Sequence, residues 1–225
     1  MKTNNSLHRT LQKTRGVTGI EYGAFQEAYD FFNRELFGNS LPQLLVTLQR
    51  KAHSFGHFSP KRFTGRLDQQ SVVHELNLNP DGFTARSDEK ILSTLVHEQA
   101  HVWQETFGKP SRTGYHNRQW ALKMKELGLQ PSSTGEPGGN ETGQHMSHYI
   151  ITDGPYAQAY RKLKARRFEL HWQSLREPKQ GRESKTKFTC PLCGQNAWAK
   201  PDAQLFCGVC SPLLNAILMR SKRSP

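Results

Sequence analysis

The chain has 225 residues, 35% of them hydrophobic, and carries 31 Lys and Arg against 19 Asp and Glu, a formal charge of +12. Mean hydropathy is −0.74, and no run of about 18 apolar residues occurs, which excludes a membrane-spanning helix of ordinary length. The opening ten residues contain no apolar segment of signal-peptide type, so the expected setting is a reducing cytoplasm with no membrane partner.

In chain order, residues 1–20 carry four basic side chains and no acid and read as a basic, disordered tail. Tyr22, Phe25, Ala28, Tyr29, Phe32, Leu36 and Phe37 then recur at helical spacing, with Gly38 as a C-terminal stop. After a Leu41-Pro42 loop, 44–48 and 71–78 read as strands, with 54–63 between them as a glycine-interrupted strand or hairpin. Ser87 is a suitable N-cap for a helix that opens with Asp88 and Glu89 and stops at Gly108-Lys109-Pro110. A second helix is expected over 116–127, a loop rich in Ser, Gly, Pro and Thr over 131–143, and a basic helix over 156–175.

Charge is concentrated in that last stretch. Residues 156–187 hold ten basic and three acidic side chains, whereas 21–155 are close to neutral. Arg161, Lys162, Lys164, Arg166 and Arg167 are too dense for one narrow helical stripe. They predict a broad cationic surface for nucleic acid, DNA in the first instance, with Tyr160, Phe168 and Trp172 as stacking platforms. The competing reading is a solvated helix that aids solubility.

The chemistry sits on the Ser87-capped helix, in His97-Glu98-Gln99-Ala100-His101. Histidines at i and i+4 project from one face a turn apart, so both imidazoles reach one Zn²⁺. On the helical wheel Leu92, Leu95, Val96, Trp103 and Phe107 form an apolar stripe, and the histidines fall on the opposite side. Glu98 lies beside them, where a carboxylate serves as general base for a water at the metal. His74-Glu75 resembles half of this motif but lies in an alternating strand and reads as structural. A catalytic zinc needs a third protein ligand and one open position. His116, across the Gly108-Lys109-Pro110 break, is the leading candidate; His145, His148 and Glu105 are its rivals.

The four cysteines of the chain, Cys190, Cys193, Cys207 and Cys210, form two C-x2-C pairs, which suits a tetrahedral structural zinc. Two disulfides are the alternative, disfavoured in a reducing compartment. So short a ribbon would draw most of its folding energy from the metal. Phe188, Trp198 and Phe206 would pack its small sheet or stack on bases.

The aromatic-rich helix, the Leu-Pro loop, the strands, Thr94-Leu95-Val96-His97-Glu98-Gln99-Ala100-His101 and Gly114-Tyr115-His116-x-x-x-Trp120 together resemble the SprT-like zinc metalloprotease domain. The downstream ribbon is similar to that of bacterial members. The resemblance covers residues 20–130 and 185–212 and implies an α+β fold: a minimal zincin-like metalloprotease domain, helices on a small sheet, then a basic helical segment and a zinc ribbon. It also implies a catalytic zinc on His97, His101 and His116, Glu98 as base, and a protein substrate associated with or crosslinked to DNA, with the protein near the nucleoid if the source is bacterial. Two residues depart from the family pattern: Asn117 stands where a Gly often follows the third histidine, and Gln99 replaces a usually apolar residue. The expected organisation is a tail at 1–20, the zincin domain at 21–155, a basic helix and linker at 156–187, the ribbon at 188–212 and a tail at 213–225. The alternative function is a nucleic-acid-binding or transcription-associated zinc protein whose zincin site is non-catalytic. A fourth ligand from His145, His148 or a carboxylate would favour it.

Overall fold

The computed structural model describes residues 16–175, 185–210 and 217–221; most of the expected tails at 1–20 and 213–225, and the stretch 176–184, lie outside them. The chain falls into two compact units that divide between Glu177 and Pro178.

The first unit is α+β. Helix α1 (Val17–Phe37) begins inside the stretch expected as a tail and buries Phe25, Tyr29 and Phe32 completely. It ends as the sequence predicts, with Gly38 in the left-handed region at φ 60 and its N–H on the Asn33 carbonyl. Strands β1 (Leu45–Leu48), β2 (Gly56–Thr64) and β3 (Val72–Leu78) form a sheet ordered β1-β3-β2, with β1 parallel and β2 antiparallel to β3. The β2–β3 register shifts between Ser59 and Phe63, where Lys61 has a positive φ and its N–H donates to His74 Nδ1 at 2.9 Å. Glu75, buried on β3, accepts from Thr47 Oγ1 at 2.7 Å and Gln49 Nε2 at 2.8 Å. The His74-Glu75 pair is thus occupied by the sheet itself.

Helix α2 (Asp88–Phe107) starts at Ser87, whose hydroxyl accepts from the Lys90 N–H, with Asp88 and Glu89 against the positive end of the helix dipole. Every residue from 91 to 100 is buried. The wheel predicts one apolar stripe with a polar back; instead β2, β3, α1 and helix α3 (Arg118–Glu126) all pack on α2, and Phe107 at its end is exposed. Beyond it, β4 (Tyr115–His116) pairs with β6 (Gly143–Gln144), and β5 (Leu129–Ser132) pairs with β7 (Ser147–Ile150). The expected loop over 131–143 is therefore strand at both ends.

Helix α4 (Pro155–Ala165) is shorter than the 156–175 predicted, because Arg167 turns into the left-handed region at φ 64. It is fixed to the end of α3: Tyr156 N–H donates to the Leu127 carbonyl at 2.9 Å, and Gly128, at φ 82, leaves no room for a Cβ beside the Pro155 nitrogen. Tyr156 and Leu163 are completely buried in the same core as Phe32 and Leu95. Among the described residues no helix is long and apolar enough to cross a membrane.

In the second unit β8 (Thr186–Thr189) pairs antiparallel with β9 (Asn196–Ala199) and with β10 (Arg220–Ser221). Phe188 and Met219 pack with Cys190 and Cys207 to form its small core.

The burial of α4 sets its own test. Leu163→Ala should lower unfolding free energy by about 2–5 kcal/mol, the cost of an aliphatic truncation at a closed site, read by chemical denaturation. A wild-type unfolding midpoint in that variant would mean that the basic helix lies on the core without being part of it.

Candidate metal centre

Among the described residues two groups of side chains are placed to hold a metal ion: His97, His101 and His116 in the first unit, and the four cysteines in the second, each with its ligand atoms within 4.8 Å of one another. The histidines come from two elements. His97 and His101 lie a turn apart on α2, and His116 ends β4, held by its pairing to Gly143 on β6. Asn117, immediately after it, caps α3 by accepting from the Trp120 N–H at 3.1 Å. Asn117 Oδ1 also accepts from Gln104 of α2 at 2.7 Å, and its amide donates to the Lys109 carbonyl at 3.0 Å. An asparagine after the third histidine thus ties α3 to α2 across the Gly108 break.

Trp120 forms the floor. It is completely buried, its ring lying 4.8 Å from His97, 5.3 Å from His101 and 4.4 Å from His116 between centroids, stacked on His101 and edge-on to the other two. In the sequence Trp120 stands only as the end of the family-like pattern that begins at Gly114; its register three residues after the Asn117 cap is what carries it under all three imidazoles.

The imidazoles are neutral. Burial holds His97 well below the usual imidazole range and brings His101 down to about 3, with the neighbouring histidines adding to both. Burial also lowers His116, against the opposing bond from its Nδ1 to the Gly143 carbonyl at 3.2 Å. A neutral ring whose Nδ1–H is committed to a carbonyl leaves Nε2 as a lone-pair donor, the form a divalent metal binds. His97 has its Nδ1 3.1 Å from His148 Nδ1, which likewise leaves Nε2 free. The donor set fits a borderline cation such as zinc.

Glu98 is buried beside these rings, and burial pushes its carboxyl up to about 8. Its Oε1 faces Gly56 on β2: a Cβ there would stand 2.9 Å from the Asn77 carbonyl oxygen and 3.1 Å from Glu98 Oε1. Glycine at this strand position is what leaves the carboxylate its space. Gln99, the other departure from the family pattern, is completely buried and donates to the Tyr29 carbonyl at 2.9 Å, joining α2 to α1.

The other third-ligand candidates separate cleanly. Glu105 and exposed His145 are outside the group, and both nitrogens of His148 are engaged, Nδ1 with His97 and Nε2 with Ser93 Oγ at 2.9 Å.

In the second unit Cys190 Sγ lies 3.9 Å from Cys210 Sγ, and Cys193 Sγ lies 3.6 Å from Cys207 Sγ. Four thiolates about 2.3 Å from one tetrahedral ion would stand about 3.8 Å apart, so the spacing suits zinc; all four are free of disulfides. The Cys193 and Leu192 N–H groups point at Cys190 and lower its thiol to about 7, favouring the thiolate. Gly194, at φ 73, makes the turn that closes this knuckle. Phe188 is buried, whereas Trp198 and Phe206 are exposed.

The basic residues singled out in the sequence are largely paired. Arg161 meets Asp153 at 3.0 Å, Lys162 meets Glu35 at 3.0 Å and Lys164 meets Asp88 at 3.3 Å. Arg166 lies over the Phe31 ring at 4.9 Å. Of the expected stacking platforms, Phe168 is buried and Tyr160 packs against the core, leaving Trp172 exposed.

Comparison with known proteins places this arrangement. The model of the SprT-like family matches residues 25–139, a span that contains His97, Glu98, His101, His116 and Trp120. An uncharacterized protein in the mucB 3'region of Salmonella typhimurium is 56% identical over 51 residues, which are 23% of this chain and 69% of that protein. No solved structure matches. With half of its length matched by the family model, the chain belongs to the SprT-like family.

Proposed function

We propose that the chain is a zinc-dependent endopeptidase of the SprT-like type, acting on proteins bound or crosslinked to DNA. The observation that carries this reading is Glu98: a buried carboxyl, without a hydrogen-bond partner among the described residues, set beside three convergent neutral imidazoles. No bond of the fold uses this carboxyl among the described residues. Beside a metal it has a task.

Zinc held by His97, His101 and His116 would supply a Lewis acid that polarises the scissile carbonyl. Glu98, which the charge of that cation would favour in its ionised form, takes the proton of the attacking water as its oxygen bonds to the carbonyl carbon, and delivers that proton to the amide nitrogen as the C–N bond breaks. Trp120 holds the imidazoles in a fixed array, so that little reorganisation accompanies the reaction. Among the described residues no fourth protein ligand joins the three histidines, which supports a catalytic site over a closed structural one. The ribbon, on this reading, carries a second, structural zinc.

The DNA part of the reading is supported by the charge of residues 156–187. Arg161 and Lys162 are mostly exposed, and exposed ion pairs are worth about 0–1 kcal/mol. Such pairs give way to phosphate at little cost, and counterion release then favours the exchange. A protease confined with its substrate on one DNA molecule gains selectivity from effective concentration.

Three measurements test the reading. Glu98→Gln keeps the side chain's shape but cannot accept the water's proton, and should reduce cleavage by about 10²–10⁴-fold while both zincs stay bound; cleavage at the wild-type rate by the metal-replete variant would exclude Glu98 as the base. Cys190→Ser should release one zinc and unfold the second unit, with the histidine site still loaded and active on a flexible substrate; loss of both metals together would mean that the units fold as one. Replacing Arg161, Lys162 and Arg167 by Gln should weaken DNA binding and shallow its salt dependence by about one unit of slope per lost phosphate contact. Unchanged affinity across a salt series would reduce the charge run to a solvated face.

A further inference from the structure

A neutral histidine binds metal through Nε2 only if its own proton sits on Nδ1, and among the described residues His97 has no backbone carbonyl there to hold that proton, only His148 Nδ1. We propose that His148 and Ser93 do this instead: a directed hydrogen-bond chain runs from His97 through His148 and Ser93 to the Lys90 carbonyl and makes His148 a positioning residue for the metal site. The inference rests on the reading of His97, His101 and His116 as zinc ligands.

The geometry fixes the direction of the chain. His97 Nδ1 lies 3.1 Å from His148 Nδ1, His148 Nε2 lies 2.9 Å from Ser93 Oγ, and Ser93 Oγ lies 2.9 Å from the Lys90 carbonyl oxygen. A carbonyl oxygen only accepts, so the Ser93 proton lies toward Lys90. Ser93 Oγ therefore receives its second bond from His148 Nε2–H. A neutral imidazole with its proton on Nε2 has a bare Nδ1, and that atom can only accept from His97 Nδ1–H. His97 is left with Nε2 unprotonated. Each link permits one choice, and the last is the tautomer a metal requires.

The parts are built to hold this order. Ser93 and His97 are one turn apart on α2, so both ends of the chain stand on the same helix, and His148 reaches them from β7, where it pairs opposite Pro131 of β5. Ser93 is buried. His116 reaches the same state more directly, through its Nδ1 contact with the Gly143 carbonyl. His148 lies beyond residues 25–139, the span matched by the family model. With both nitrogens engaged it has no lone pair left for the ion itself.

The test uses the full chain and zinc itself, with affinity at the histidine site measured by competition with a chromophoric chelator and the cysteine-bound zinc as internal control. His148→Phe should weaken zinc binding by about 10–100-fold, the usual effect of losing such a supporting partner. His148→Gln, whose amide oxygen accepts from His97, should recover most of that loss; Ser93→Ala should fall between. Ring-¹⁵N NMR of the zinc-loaded wild type should find the His97 proton on Nδ1 and the His148 proton on Nε2, a result independent of whether any variant folds. Wild-type affinity in His148→Phe, equal damage in His148→Gln and His148→Phe, or a proton on His148 Nδ1 would each overturn the proposal. A wild-type protein that binds zinc at the cysteines alone would overturn the metal-site reading beneath it, and is distinguished from those outcomes because it appears before any substitution is made.

Discussion

The first unit depends on the enclosure of α2. A helix buried over ten consecutive residues must pair most of the polar atoms it takes inside, because an unpaired buried group costs stability. Gln99 spends its amide on the Tyr29 carbonyl, and Gln104 spends its own on Asn117 and Gln119. Arg86 donates to Thr94 and to the Lys90 carbonyl, tying the start of the helix to its second turn. Among the described residues, what remains after these bonds is Gln99 Oε1, which has no partner, and the three-histidine group with Glu98. The same burial that forces the pairing of the other groups keeps the imidazoles neutral, and so fit to be ligands.

A second constraint comes from α3. One residue, Asn117, caps this helix, accepts from Gln104 of α2 and donates to the loop carbonyl at Lys109. It stands between His116 and the turn that delivers Trp120. The third candidate ligand, the helix cap and the aromatic floor are therefore consecutive consequences of a five-residue stretch, in which Asn117 ties α3 to α2 while the pairing with Gly143 holds His116. This is why a residue that departs from the family pattern leaves the histidine group intact.

Much of this was legible in the sequence because it rests on local rules. The spacing of His97 and His101, the Ser87 cap, the Gly38 stop and the paired C-x2-C knuckles depend on contacts a few residues apart, and the α+β class follows from their order. What escaped depends on distant parts. The wheel of α2 predicts a polar back, but β2, β3, α1 and α3 cover it, and no periodicity within 20 residues reports which neighbours arrive. The basic stretch predicts a helix to 175; the charges mask a short apolar set, Tyr156, Ala159 and Leu163, that docks α4 on the core and ends its usefulness as a helix near Ala165. His148 and Ser93 are 55 residues apart, and only the β5–β7 ribbon brings them together. A sequence signal did exist for His148, as one of the candidate third ligands, but its contact with His97 Nδ1 is a matter of fold.

The central claim is that His97, His101 and His116 hold a zinc with one position left open. Anomalous diffraction at the zinc edge from crystals of the full chain tests it most directly. The account predicts two peaks per chain, one amid the sulfurs of Cys190, Cys193, Cys207 and Cys210, and one within bonding distance of three imidazole Nε2 atoms with no fourth protein ligand. A single peak at the cysteines, or a histidine site closed by a fourth side chain, would contradict it.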